Sequence, residues 1–117
     1  MTEGIRITTG EEYIEDAVSR NVLEKQFVTN MSGETPSVKN RKFFVGVNTS
    51  PVNVTDFLYG APGQRIYILG DGNMTIKHGT FIFTNTGADK LLAADKVYRF
   101  TYFETTNPKS HKWVEDE

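Results

Sequence analysis

The chain has 117 residues, 38% of them apolar and 12% aromatic, which is enough bulk for one packed domain and too much for a disordered segment. A formal net charge of −2 argues against nucleic acid or an anionic membrane as partner, since both attract a basic surface. The absence of cysteine excludes disulfides, thiolate catalysis and cysteine-ligated zinc.

The N-terminal stretch MTEGIRITTGEEYIED carries acids where a signal peptide has a basic segment and an apolar core. No apolar run reaches the length of a membrane span, so a protein made soluble, without a recognisable export leader, is expected. Ile14, Val18 and Val22 recur at helical spacing beside Ala17, and Thr9 with Glu12 fits a capping box. The stripe is only about three turns long and rich in β-branched residues, which leaves open both a short helix over 11–22 and an extended arm. From Leu23 the composition shifts to Thr, Asn, Ser, Gly and Pro, and Pro36 disfavours helix before it. Residues 1–40 therefore read as an arm or short helix with a connector, and residues 41–117 as the body.

The body is a series of short apolar runs: RKFFVGV (41–47), VNVTDFLY (52–59), RIYIL (65–69), NMTIK (73–77), TFIF (80–83), KVYRFTYF (96–103) and KWV (112–114). Their dividers, NTSP, GAPG, GDG, HG, NTGADK and TTNPKS, are rich in turn residues, which predicts an all-β fold, a small antiparallel β-sandwich. No helical segments alternate with these runs, so a parallel βαβ sheet is disfavoured, and the uneven gaps favour a sandwich over a regular β-helix. In KVYRFTYF the alternation places Tyr98, Phe100 and Tyr102 on one face, expected to be the core face. RIYIL and TFIF are apolar on both faces, which calls for cover by a loop, an arm or another subunit and supports an oligomer.

Candidate chemistry is sparse. Residues 60–83 hold five of the ten glycines, but strands follow them where a phosphate-binding loop would open a helix, so they read as turn corners. Asp71 and Asn73 in GDGN suggest calcium, yet the further ligands of an EF-hand loop are missing, and Asp-Gly between strands reads as a hairpin. His78 and His111 sit beside turn residues and read as solvated, with no nucleophile motif to serve. The sequons at Asn30, Asn48, Asn53 and Asn73 read as turn and strand composition. No catalytic residue, metal or cofactor is expected, and a cupin-like metal site lacks the clustered histidines it would need. The basic patch KNRK (39–42) beside Phe43 and Phe44 offers either a contact for an acidic protein partner or a solvated loop.

Phe57, Gly60, Gly63, Gln64 and Ile66, then Thr75 and Ile76, Asn85 to Gly87, Tyr98 and Phe100, and last Trp113 form a spaced pattern over the C-terminal two-thirds. This pattern resembles the distal, non-catalytic β-domains of bacteriophage tailspikes and fibres. The resemblance implies a trimeric β-structure on the outside of a virion. A long β-helix, a head-binding domain and a depolymerase cleft are not expected within 117 residues. The resemblance thus implies a non-enzymatic capsid cement, or decoration, protein: a homotrimer docked on the major capsid protein at the outer capsid surface. Ile14, Val18, Val22, Lys39, Arg41 and Lys42 are its expected subunit or capsid contacts. The alternative is a receptor-binding tip of a tail fibre or tailspike, with Tyr59 or Trp113 stacking on a host surface glycan.

Overall fold

Strands form where apolar and polar residues alternate and end where Gly, Pro, Asn and Asp gather. The computed structural model describes residues 28–106 and 108–116, and Ile14, Val18, Val22 and the segment 11–22 lie outside them. The strands are β1 (Val28–Met31), β2 (Phe43–Gly46), β3 (Val52–Val54), β4 (Arg65–Leu69), β5 (Met74–Ile76), β6 (Ile82–Phe83), β7 (Lys90–Leu92), β8 (Val97–Thr106) and β9 (Lys109–Glu115). A larger sheet of order β1-β2-β4-β8-β9-β6 packs on a smaller one of order β3-β5-β7. Among the described residues there is no helix, and the all-β sandwich stands as expected.

The core lies between the sheets. Met31, Phe44, Ile66, Ile68, Ile82, Phe100 and Trp113 from the larger sheet meet Val54, Met74, Ile76 and Leu92 from the smaller, and Val38 and Phe57 close the edges from loops. Phe100 is fully buried and Tyr98 and Tyr102 pack against the core, so the aromatic face of β8 points inward as its alternation requires. The body starts earlier than residue 41, because β1 and the buried Val38 belong to it. β7 falls in the Leu-Leu pair just after the divider NTGADK, and a strand this short carries no period to read.

Strand direction departs from the antiparallel expectation. β1–β2, β2–β4, β3–β5 and β6–β9 are parallel, while β4–β8, β5–β7 and β8–β9 are antiparallel. The reason is that from β2 to β8 the chain changes sheet at every turn, so β2 and β4 enter the larger sheet from the same end, as β3 and β5 enter the smaller. GDG is accordingly a corner between sheets and not a hairpin. Its backbone bonds go outward, from Gly70 N–H to the Lys96 carbonyl (2.8 Å) and from Gly72 N–H to the Leu92 carbonyl (3.1 Å). A Cβ on Gly70 would lie 2.3 Å from the Ala93 carbonyl oxygen, so the corner admits only glycine there.

The β2–β3 and β4–β5 corners are stitched together by side chains. The Asp71 carboxylate accepts the backbone N–H of Asn48 (2.7 Å), the side-chain amide of Asn48 (2.9 Å) and the backbone N–H of Asn73 (2.8 Å). Asn73 in turn donates to the Asn48 carbonyl (2.7 Å), and Asn48 Oδ1 accepts the Gly33 N–H (3.0 Å). Gly46 leaves room for the carboxylate, since a Cβ there would approach its carbon to 2.8 Å.

Partial burial pushes the Asp71 carboxyl up, but the hydrogen bonds from Asn73 and Asn48 outweigh it and hold its pKa below the ordinary 3.8. Its contribution to stability is therefore complete above pH 3.8 and lost as pH falls through the lower folded value. Asp71→Ala should cost about 1–3 kcal/mol at neutral pH by stripping three donors of their acceptor. Asp71→Asn should flatten the acid limb of stability against pH. Urea unfolding followed from pH 2 to 7 measures both, and an unchanged acid limb would contradict the assignment.

Candidate functional site

The segment between β3 and β4, TDFLYGAPGQ (55–64), is where the sequence pattern and the structure converge. Phe57 is buried and meets Trp113 edge to face (centroids 5.5 Å apart, 88°), and the Trp113 indole N–H donates to the Phe57 carbonyl at 3.1 Å. Gly60 lies against the same ring. A Cβ on it would come within 2.5 Å of Trp113 and 2.6 Å of Tyr102, so this close approach requires glycine. Gln64 pins the far end: its side-chain amide donates to the Val38 and Arg41 carbonyls (2.8 and 2.9 Å) and its oxygen accepts the Ala61 N–H (2.9 Å).

Between these pins the chain turns Tyr59 outward. Its backbone sits at φ +65°, a left-handed conformation that costs a non-glycine residue about 1 kcal/mol, and its ring is 69% exposed.

On one side of Tyr59 lies a polar aromatic wall. His111 Nε2 donates to both oxygens of the buried Asp56 (2.9 and 3.0 Å), and its ring is stacked between Phe81 (4.7 Å, 8°) and Tyr102 (5.7 Å, 3°). This wall borders a small cleft of about 180 Å³ reached by Tyr59 and a neighbouring one of about 400 Å³ reached by Glu104 and Ser110. Burial, then the negative charges of Glu104 and Asp56, holds the Tyr102 phenol above its ordinary pKa of 10.0, so it stays a neutral hydroxyl. On the other side is a cleft of about 450 Å³ lined by Arg41, Lys42, Tyr59, Gln64 and Arg65 among others.

Of the two aromatics singled out in the sequence, the structure exposes Tyr59 and buries Trp113 completely, because the indole is the centre of the packing that fixes the loop. Lys39, Arg41 and Lys42 are exposed, and Arg41 and Lys42 line the same cleft. The histidines are not solvated turn residues. His111 is held in β9 by Asp56 and two rings, and His78 accepts the Thr84 N–H on Nδ1 (3.0 Å) and meets Phe83 edge to face. The outer apolar rings of β4 and β6 are partly covered by cations of the same chain, Lys42 and Arg99 over Tyr67 and Lys112 over Phe83. Asp56 and His111 are 55 positions apart, and no spacing rule links them. Among the described residues no hydroxyl is hydrogen-bonded to the His111 ring, and no group of three or more His, Asp or Glu residues is placed to hold a metal.

A family model described as the phage depolymerase C-terminal beta sandwich domain matches residues 26–107, well over half the chain. The match takes in the whole Phe57 to Ile66 segment and stops short of Trp113. No curated protein and no solved structure matches the chain.

Gly60→Ala tests the packing that sets the loop. The added methyl should force the Trp113 and Tyr102 rings apart, costing about 1–3 kcal/mol and altering Trp113 fluorescence and near-ultraviolet circular dichroism. Stability and spectra equal to wild type would show that the loop is not fixed in this way.

Proposed function

The chain belongs to the phage depolymerase C-terminal beta sandwich family, and from that premise we propose that it is a non-catalytic, saccharide-facing domain of a phage tailspike or fibre. The family favours the tail over the capsid as the place of this phage structural domain; the capsid-cement reading has no separate observation in its favour. The observation that carries the proposal is Tyr59, a largely exposed ring held at φ +65° between two clefts. Backbone strain of this kind persists where neighbours over-determine it, and it collects at ligand clamps.

The mechanism is adhesion. The flat ring presents an apolar face to the C–H face of a host glycan sugar, and its hydroxyl reaches water or a sugar oxygen. Glu104 and Ser110 supply acceptors for sugar hydroxyls, and Asp56, whose lone pairs otherwise take His111 and the Phe57 N–H, keeps one on Oδ2. Assembly as a homotrimer belongs to the same proposal: Val97 and Phe103, 63% and 52% exposed, would be covered by a neighbouring copy.

Tyr59→Gly separates function from folding. Glycine adopts the left-handed backbone without strain, so the variant should be at least as stable as wild type, by up to about 1 kcal/mol. It should nevertheless bind fragments of host surface polysaccharide about tenfold more weakly in calorimetric titration, which corresponds to about 1.4 kcal/mol for the lost stacking and burial of the ring. Undiminished binding would move the saccharide site elsewhere. Gold-labelled antibody on intact particles should mark the tail, whereas a label spread over the capsid would restore the cement reading.

A further inference from the structure

Resting on that glycan reading, we propose that the cleft on the Arg65 side of Tyr59 binds the carboxylate of an acidic saccharide. Arg41, Lys42 and Arg65 line one cleft with Tyr59 and Gln64, in a protein whose net charge is −2. Cations are thus concentrated there against the sign of the whole chain. Among the described residues no carboxylate lies within ion-pair distance of Arg41 or Lys42. Lys42 holds its ammonium 5.6 and 5.7 Å from the ring centres of Phe43 and Tyr67, a contact that positions the charge without neutralising it. Arg65 is steadied through Nε alone, at 3.5 Å from Asp116 and 3.3 Å from Thr101, which leaves the fork of its guanidinium for a planar, two-oxygen partner.

The cleft is also rigid. Gln64 spends both ends of its amide tying the Arg41 backbone to the loop at Ala61, so a ligand meets a wall already in place. The two sides of Tyr59 differ in charge: Arg41, Lys42 and Arg65 stand on one, whereas on the other Asp56 is bound by His111 and Glu104 lies 3.9 Å from Lys109. A polyphosphate backbone running over the ring would meet those acids, whereas a glycan with separated acidic groups suits both sides. One ring stacks on Tyr59 and gives its hydroxyl protons to the acidic side, and the next ring places its carboxylate among the cations.

The test uses the full chain and calorimetric titration with tetrasaccharides of galacturonate, mannuronate and unsulfated glucuronate–hexosamine, each beside its methyl ester, which keeps the sugar and removes the charge. At least one acid form should bind at least about tenfold more tightly than its ester, and Arg41→Ala with Lys42→Ala should abolish that difference. The preference should shrink as salt rises. If acid and ester bind alike, or only uncharged maltotetraose binds, the glycan reading stands and the acidic preference is overturned. If poly-L-glutamate or oligothymidylate binds as tightly as any saccharide, the ligand class is wrong; if no saccharide binds, both readings fall.

Discussion

Everything in this sandwich depends on corners that hold without hairpins. Because successive strands leave one sheet for the other, the short parallel neighbours β2 and β4, and β3 and β5, are never joined by a tight turn that could set their register. Asp71 supplies what the turns cannot. One carboxylate gathers N–H groups from the β2–β3 and β4–β5 corners, Asn73 adds a bond between the same two, and Asn48 extends the stitching to Gly33. Glycines at 46 and 70 let backbone and carboxylate approach to distances that any side chain would forbid.

At Trp113 a second fixed point turns this frame into a site. The indole meets the rings of Phe57 and Tyr102 at near right angles, takes Gly60 against its ring, and donates its one proton to the loop backbone. Those constraints force the left-handed step at Tyr59 that puts its ring in solvent. The spaced pattern of Phe57, Gly60, Gln64 and Trp113 is thus one physical unit, in which each residue restrains the same loop.

The sheet class and the positions of most strands were legible in the sequence, because alternation and turn residues are local properties. Strand direction was not, since Asp-Gly serves a hairpin and an inter-sheet corner equally well, and only the packing of Gly70 against the Ala93 carbonyl decides between them. The site was half legible. Tyr59 and the basic run at 39–42 stood out by type, but Trp113 was offered as a surface ring when its place on the inward side of β9 buries it. The pairing of Asp56 with His111, like the arrival of Arg65 beside Arg41, joins segments far apart in the chain. Such encounters follow from strand order, which residue spacing does not encode.

Among the described residues, β8 and β9 are the only neighbouring strands joined by a hairpin; the others find each other across a crossover. Loop closure must then precede most of the rewarding contacts, so folding is slow for its size and the β8–β9 ribbon is the natural nucleus. The same winding makes the rest of the sandwich open or close as a whole. Freeing one corner loosens strands in both sheets at once, and local opening is left to the tip of the β8–β9 ribbon, which pairs with β4 only over Val97–Thr101 and with β6 only at Trp113 and Val114.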